Sequence, residues 1–139
     1  MKSQPWLEIY NELNIEMPSF TGRTMGSYLE EHAQVKSDAI ALTMFNKSMT
    51  FAEYNAQANR LANALSKLNI GQGDVVGLHM PNILQYVIAL AAISKLGAIG
   101  TGISPIMTTV EVTHQILDAN VKALLSLEDL GATLEGIAE

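Results

Sequence analysis

The sequence contains no cysteine and only four prolines, three phenylalanines and one tryptophan in 139 residues. Without cysteine there is no disulfide framework and no thiolate metal site, which fits a reducing compartment. Charged residues make up 16% of the chain, against about 25% in an ordinary soluble domain. Hydrophobic residues make up 48%, so the composition excludes intrinsic disorder and predicts more apolar surface than one domain of this size can hide.

Positive charge is also scarce. Eight Lys and Arg residues oppose 14 Asp and Glu residues, which gives a net charge of −6. A protein that neutralises nucleic-acid phosphates needs a basic stripe, and the sequence has none. We therefore expect no nucleic-acid partner.

Long apolar runs and export signals are missing as well. The longest apolar run, residues 83–93, includes Gln85 and falls well short of the roughly 20 residues that a membrane-spanning helix needs. The first residues lack the basic-then-apolar pattern of a secretory signal peptide. The sequence thus predicts a cytoplasmic chain with no membrane span, and the sequon Asn46-Lys47-Ser48 is interpreted as a turn.

The hydrophobic pattern predicts alternating strands and helices after an irregular lead segment over residues 1–23. Helices are predicted over residues 24–33, 51–68, 83–96 and 110–119, and strands over residues 39–45, 48–50, 75–80, 99–103 and 121–127. Residues 24–127 would form one α/β domain, and residues 128–139 would begin a further helix that is cut short.

Helix ends are marked by specific residues. Thr50 with Glu53, and Thr108 with Glu111, have the spacing of capping boxes, in which the hydroxyl and the carboxylate each accept from a backbone N–H of the first turn. The remaining end signals are a cap at Asn82 and helix stops at Gly71 and Gly97.

Strands separated by helices of about ten or more residues are typical of parallel βαβ crossovers. Right-handed crossovers place helices on both faces of an open sheet. The predicted fold class is therefore α/β, with an open, mostly parallel sheet flanked by helices on both faces and a short antiparallel hairpin near residues 39–50. Ligands of such sheets lie at the carboxyl ends of the strands, here residues 79–82 and 104–105.

No complete active site is evident in the sequence. Gly71 and Gly73 follow a helix and precede a strand, the reverse of a dinucleotide-binding loop, so they are interpreted as turn residues. His32, His79 and His114 are not spaced to share a metal ion, and no metal site is expected. His79, near the end of a central strand, is either a ligand contact or a hydrogen-bonded core histidine. We predict no catalytic residue.

Four segments in a fixed order carry a family resemblance: residues 49–62 (MTFAEYNAQANRLA), 71–76 (GQGDVV), 80–82 (MPN) and 94–99 (SKLGAI). Together with residues 105–125, this set resembles the amino-terminal region of the AMP-forming acyl-CoA synthetases, part of the adenylate-forming superfamily. The resemblance covers about residues 25–127.

The resemblance implies a parent enzyme that uses ATP, Mg²⁺ and CoA to convert a carboxylic acid to an acyl adenylate and then to a thioester. The family's phosphate loop, adenine and ribose contacts and catalytic lysine lie downstream of the matched region. It therefore implies an amino-terminal fragment with no catalytic or cofactor-binding residue, inactive alone, whose partner is the remainder of its own enzyme. Candidate wall residues of the acid and CoA cleft are Pro81, Asn82, Ser104 and Pro105.

The segment Gly100-Thr101-Gly102-Ile103-Ser104-Pro105 departs from the family, which commonly has apolar residues, proline and asparagine there. These small residues either leave room for a ligand tunnel or allow close helix packing, and packing is favoured. Two other functions stay open: a stand-alone α/β binding or oligomerisation module, and a nucleotide-binding domain of another superfamily. The apolar composition also predicts pairing with another copy of the chain.

Overall fold

The computed structural model describes residues 5–16, 18–135 and 137. In chain order the elements are helices α1 (Pro5–Glu12) and α2 (Met25–Val35), strands β1 (Ile40–Met44) and β2 (Lys47–Thr50), helix α3 (Phe51–Lys67), strand β3 (Val75–His79), helix α4 (Leu84–Leu96), strand β4 (Ile99–Ile103), helix α5 (Thr109–Asp118) and strand β5 (Val121–Ser126). A 3₁₀ turn at Glu128–Leu130 and the one-turn helix α6 (Gly131–Leu134) follow.

Three strands form a parallel sheet in the order β4-β3-β5. The central strand β3 pairs with β4 from Val75 opposite Ile99 to His79 opposite Ile103. This arrangement confirms the α/β fold class. Strands β1 and β2 form a separate antiparallel hairpin. The antiparallel hairpin predicted near residues 39–50 is thus confirmed.

Helices cover both faces of the parallel sheet. Successive residues of a strand point to opposite sides, so neighbouring residues of β4 show which helix lies on each face. On β4, a Cβ atom added to Gly100 would lie 3.3 Å from Leu90 of α4. The next residue, Thr101, faces Gln115 of α5, whose Nε2 lies 3.4 Å from the threonine hydroxyl. Helix α4 therefore covers one face and α5 covers the other, where Val112 is fully buried.

The main core lies between the sheet and α4. Val76 and Leu78 of β3 are fully buried there and pack with Leu65 of α3 and Ile93 of α4. A second core cluster joins α2, α3 and α4, and it includes Leu29, Tyr54, Ala58 and Ala91. Helix α4 contributes to both clusters, which is why its sequence is apolar almost all round.

Tyr54 ties α3 to α4 through a polar contact inside this second cluster. Its hydroxyl donates to the Val87 carbonyl oxygen at 3.0 Å. Burial raises the pKa of Tyr54 to about 12, because the phenolate would lose its hydration. The phenol therefore stays protonated and remains a donor at neutral pH.

Both predicted capping boxes form. Thr50 Oγ1 accepts from the Glu53 backbone N–H at 3.2 Å, and the Glu53 carboxylate accepts from the Thr50 N–H at 2.9 Å. The Thr108 N–H donates to the Glu111 carboxylate at 2.8 Å in the same way. The hydrogen bonds from Thr108 hold the pKa of the Glu111 carboxyl below its ordinary value, since they favour the charged form.

Two predicted helix-end signals are wrong and a third is confirmed. Helix α3 ends at Lys67, before the predicted stop at Gly71, because Asn69 adopts a left-handed φ of 58° and the Ile70 N–H donates to the Leu65 carbonyl. This hydrogen bond is the one that defines a Schellman motif. At α4, Ile83 is the N-cap in place of Asn82 and has no side-chain cap, whereas Gly97 ends the helix with φ 67° as predicted.

The sequence predicted an irregular lead segment over residues 1–23. The structure instead has a helix within it, α1, at Pro5–Glu12. Proline suits the first position of a helix, where its missing N–H is not needed, and Asn14 with φ 51° ends the turn that follows. No residue of α1 is buried. The domain limits 24–127 and the helix expected over residues 128–139 stay predictions, because α6 covers one turn only and residues 136, 138 and 139 lie outside the described part of the chain.

The hairpin turn differs by one residue from the predicted Asn46-Lys47. Met44 pairs with Lys47, which leaves Phe45 and Asn46 as the two loop residues. Phe45 has φ 52° and is 89% exposed. A two-residue hairpin loop requires left-handed backbone, and strand register determines which residues adopt it.

Helix α2 meets the end of α4 at a glycine. A Cβ atom at Gly26 would lie 3.2 Å from the backbone nitrogen of Lys95 and 3.3 Å from its Cα. The Gly26 N–H donates to Ser94 Oγ at 3.0 Å, and Lys95 Nζ pairs with the Glu30 carboxylate. The close approach of the two helices therefore depends on the absence of a side chain at residue 26.

Gly26→Ala should lower the free energy of unfolding by about 1–3 kcal/mol, the usual cost of overpacking, because the added Cβ atom would meet Lys95 Cγ at 2.8 Å as well as the Lys95 backbone. Urea denaturation of both proteins would measure it. Gly131→Ala is the matched control, since a Cβ atom there meets nothing within 4 Å, and its midpoint should not fall. Equal midpoints for Gly26→Ala and the wild type would contradict the contact.

Candidate functional site

The carboxyl ends of β3 and β4 border a cleft of about 390 Å³. Its lining consists of Met80, Pro81, Asn82, Tyr86, Gly102, Ile103, Ser104 and Pro105. Pro81 and Asn82 follow β3, and Ser104 and Pro105 follow β4, so parallel pairing brings the two segments together at one edge of the sheet. All four candidate wall residues thus lie in one cleft. Their contact with a ligand stays a prediction.

The lining of this cleft is uncharged. Its polar side chains are the Asn82 amide and the Ser104 and Tyr86 hydroxyls, and the rest is apolar or glycine. A wall without arginine or lysine lacks the usual side-chain partners of phosphate. The cleft can hold an uncharged ligand segment by hydrogen bonds and packing, and the Tyr86 hydroxyl is the one group of its lining of a kind used in general acid–base catalysis.

Glycine at residues 100 and 102 allows α4 to pack closely on β4. A Cβ atom at Gly102 would lie 2.9 Å from the Tyr86 hydroxyl oxygen, and one at Gly100 would lie 3.3 Å from Leu90. Side chains of α4 thus occupy the space above both glycines. Of the two readings that the sequence left open, the structure supports close packing at these positions.

An apolar groove adjoins the cleft on the side of the hairpin. Asn82 and Tyr86 border both spaces, and the groove of about 370 Å³ is otherwise lined by Leu42, Thr43, Met44, Ile83, Leu84, Val87 and Leu90. Sequence reasoning missed both Tyr86 and this groove. Its lining comes from β1 and α4, about forty residues apart, and only the alternation of apolar residues in β1 hints at a second buried face.

His79 lies in the core and does not line the cleft. It is fully buried, and its Nδ1 lies 3.0 Å from Ser126 Oγ. The Ser126 hydroxyl also lies 3.3 Å from the Leu127 carbonyl oxygen, and donation to that oxygen would let it accept from His79 Nδ1. The imidazole therefore joins the carboxyl ends of β3 and β5. Its Nε2 has no hydrogen-bond partner among the described residues.

A second polar link joins the same two strands at their amino ends. Lys122 Nζ donates to Asp74 Oδ2 at 2.9 Å and to the Asn69 carbonyl at 2.7 Å, and the Gly71 N–H donates to Asp74 Oδ2 at 2.8 Å. The Lys122 and Gly71 hydrogen bonds hold the pKa of Asp74 below its usual value. This cluster has an evident structural role and lies at the edge of the sheet opposite the cleft.

Within residues 5–16, 18–135 and 137, no three His, Asp or Glu side chains are grouped so as to hold a metal ion. In the same part of the chain, no helix combines the length and the apolar character needed to cross a bilayer.

Comparison with known proteins identifies the class. The family model for AMP-binding enzymes matches residues 29–138. The fold, with its parallel sheet between helices, is that of the amino-terminal domain of adenylate-forming enzymes, as the solved structures described below show. This chain belongs to the family of AMP-binding enzymes.

The curated relatives are more specific. The chain is 34% identical over 113 residues to a long-chain-fatty-acid–CoA ligase of Salmonella typhimurium, covering 80% of this chain and 20% of the relative. It is 32% identical over 130 residues to a long-chain-fatty-acid–CoA ligase of Bacillus subtilis, covering 92% and 23%. The chain thus spans about a fifth of the length of these relatives.

Two solved structures share the fold. The inhibitor-bound amino-terminal domain of FACL13 from Mycobacterium tuberculosis has a TM-score of 0.79 and 29% identity, covering 84% of this chain and 30% of that one. The anthranilate CoA ligase AuaEII in complex with anthranoyl-AMP has a TM-score of 0.78 and 27% identity, covering 88% and 23%. Most of this chain therefore matches a part of each of these larger proteins.

His79 predicts how stability depends on pH. Burial lowers the pKa of His79 below its usual 6.5, so as the pH falls the unfolded chain binds a proton before the folded chain does. Stability is then complete above pH 6.5 and is lost as the pH falls toward the lowered pKa. We expect the denaturant concentration at the unfolding midpoint of the wild type to be lower at about pH 5 than at about pH 7.

His79→Asn should reduce this fall, because an amide in place of Nδ1 keeps a donor to Ser126 but does not titrate. His114→Asn is the control, since His114 is exposed on α5, and it should keep the wild-type dependence. Denaturant titrations at the two pH values measure the effect. If all three proteins lose stability equally, the buried imidazole is not its source.

Proposed function

We propose that this chain is the amino-terminal part of an ATP-dependent, AMP-forming carboxylic acid–CoA ligase and that it does not activate an acid by itself. The observation that carries the proposal is the family match over residues 29–138 in a chain spanning about a fifth of its acyl-CoA ligase relatives. The intact enzyme would form an acyl adenylate with release of pyrophosphate and then pass the acyl group to the CoA thiol. ATP, Mg²⁺ and CoA would serve that enzyme.

In the intact enzyme, the cleft at Pro81, Asn82, Ser104 and Pro105 would form part of the wall of the acid and CoA site. Its uncharged lining suits the uncharged parts of these substrates, such as an acyl chain or the amide-containing arm of CoA. Charged groups for the nucleotide phosphates would have to come from elsewhere in the enzyme, because the cleft has none. The chain's own contribution is therefore binding and positioning.

The exposed surface supports a large partner, the remainder of the enzyme. A folded monomer of 15.0 kDa exposes about 7,000 Å² of surface, whereas this chain exposes 9652 Å². Part of this excess of about 2,600 Å² belongs to the lead segment, since no residue of α1 is buried, and part to large apolar side chains left exposed elsewhere, such as Ile106, Val110 and Leu117. We also propose a cytoplasmic location, which the absence of cysteine supports.

The purified chain, given ATP, Mg²⁺ and a panel of fatty and aromatic carboxylic acids, should release no pyrophosphate above background, because the cleft at the carboxyl ends of β3 and β4 has no charged side chain to hold phosphate. A coupled pyrophosphate assay measures this, with the intact Bacillus subtilis relative as positive control. Turnover by this chain alone would overturn the proposal.

The transcript offers an independent discrimination between the proposed ligase fragment and the stand-alone α/β module. Continuation past codon 139 into a Thr/Ser/Gly-rich loop ending in Pro-Lys-Gly supports the ligase, and a stop codon there favours the module. Binding of ATP by the isolated chain, measured by isothermal titration, would instead favour a complete nucleotide-binding domain.

A further inference from the structure

Helix α1 has an apolar side that the described residues leave uncovered. Trp6 and Ile9 are 51% and 55% exposed, and Leu13, whose N–H continues the helical pattern by donating to the Ile9 carbonyl oxygen, is 63% exposed. Their spacing of three and four residues places all three on one side of a helix. A helix of eight residues is marginal in water unless it packs against other elements. A stable α1 therefore needs a surface on which this apolar side can pack.

The groove between β1 and α4 is a surface of this kind. Half-buried apolar and aromatic side chains border it on the α4 side. A second space of about 470 Å³ continues it at the hairpin tip, because the two share lining residues from β1 and α4. Along α4 the groove extends from Ile83 to Leu90, about 10 Å. Trp6 and Leu13 are separated by the same number of residues, so the apolar side of α1 and the groove have the same length.

Charge gives this contact a direction. Lys47 borders the groove at the hairpin tip, and within the described part of the chain its ammonium group forms no ion pair. The first turn of α4 lies at the same end and has no side-chain cap, so its positive end also favours a carboxylate. Glu12, the last residue of α1, lies about 60° around the helix from Ile9 and so flanks the apolar side. With α1 antiparallel to α4, Glu12 comes to the end of the groove where Lys47 lies.

We propose that residues 5–13, which comprise α1 and Leu13, form a strap that closes over the groove of their own chain. The strap would lie antiparallel to α4, with Trp6 near Leu90 and Glu12 beside Lys47. The exposed apolar side chains of the strap and the half-buried side chains of the groove would then cover each other. Docking involves no ligase chemistry, so the strap and the proposed function can fail separately.

The chain between the strap and α2 is long enough for this movement. Helix α2 begins at the far end of α4, since the Gly26 N–H donates to Ser94 Oγ at 3.0 Å. Ser94 lies about 16 Å along α4 from Ile83, whereas the chain from Leu13 to Met25 can span up to about 40 Å. A flexible tether of this length gives an effective concentration on the order of millimolar. At micromolar protein the strap should therefore occupy its own groove rather than that of a second copy.

Docking would also affect the cleft at the carboxyl ends of β3 and β4. Asn82 and Tyr86 border both the cleft and the groove, so a strap in the groove closes the passage between the two spaces. While the strap is docked, a ligand in the cleft has no room to extend into the groove.

Cross-linking tests where the strap lies. The chain has no cysteine, so an engineered pair gives an unambiguous result. Ile9→Cys/Thr43→Cys joins the strap to an exposed residue of the groove, and a short bis-maleimide should link the two within one chain. Ile9→Cys/Leu117→Cys is the control, because Leu117 is 74% exposed on α5, beyond the other face of the sheet. The groove pair should react about tenfold faster than the control pair.

Equal rates for the two pairs overturn the inference, since the strap is then undocked. Links that join two chains, detected by the mass of the product, also overturn it, because they place the strap in the groove of a second copy. Circular dichroism checks that each variant keeps the fold, as the exposure of all three residues leads us to expect.

Fluorescence tests the direction of docking, because Trp6 is the single tryptophan of the chain. Lys47→Glu replaces attraction to Glu12 by repulsion, so the ratio of docked to undocked strap should fall about fivefold and acrylamide quenching of Trp6 should rise. Glu12→Lys/Lys47→Glu restores an opposite-charge pair and should return quenching to the wild-type value. Lys67→Glu makes the same charge change at an exposed residue of α3 and should leave quenching unchanged. If Lys47→Glu and Lys67→Glu are quenched alike, or the double variant does not recover, the antiparallel strap is wrong.

Discussion

Burial of β3 from Val76 to His79 is the constraint on which the rest of this structure depends. Val76, Leu78 and His79 are fully buried, so both faces of the strand need cover and both its edges need a partner strand. Helix α4 supplies one face, α5 supplies part of the other, and β4 and β5 supply the edges. Polar links to β5 at the two ends, through Lys122 and His79, fix the pairing at the positions where neighbouring loops begin.

The elements and the cleft were largely predictable because they depend on local rules. Capping boxes need only a threonine and a glutamate three residues apart, and parallel strands bring their carboxyl ends together whatever their exact limits. Details that depend on tertiary register were missed. Asn69 ends α3 because the chain must turn there to bury Ile70, and Phe45 takes the left-handed position because Met44 pairs with Lys47. Tyr86 joins the cleft through the rotation of α4, which sequence spacing alone does not set.

The uncharged cleft and the surplus surface have the same physical explanation. A site that handles ATP needs charged groups to hold phosphate, and this chain places none at the edge where its fold would bind a ligand. It also leaves about 2,600 Å² more surface exposed than its mass warrants. A hydrophobic share of 48% thus fits one layer of the larger enzyme proposed above, with four residues of α4 buried and with α1 and much of α5 exposed.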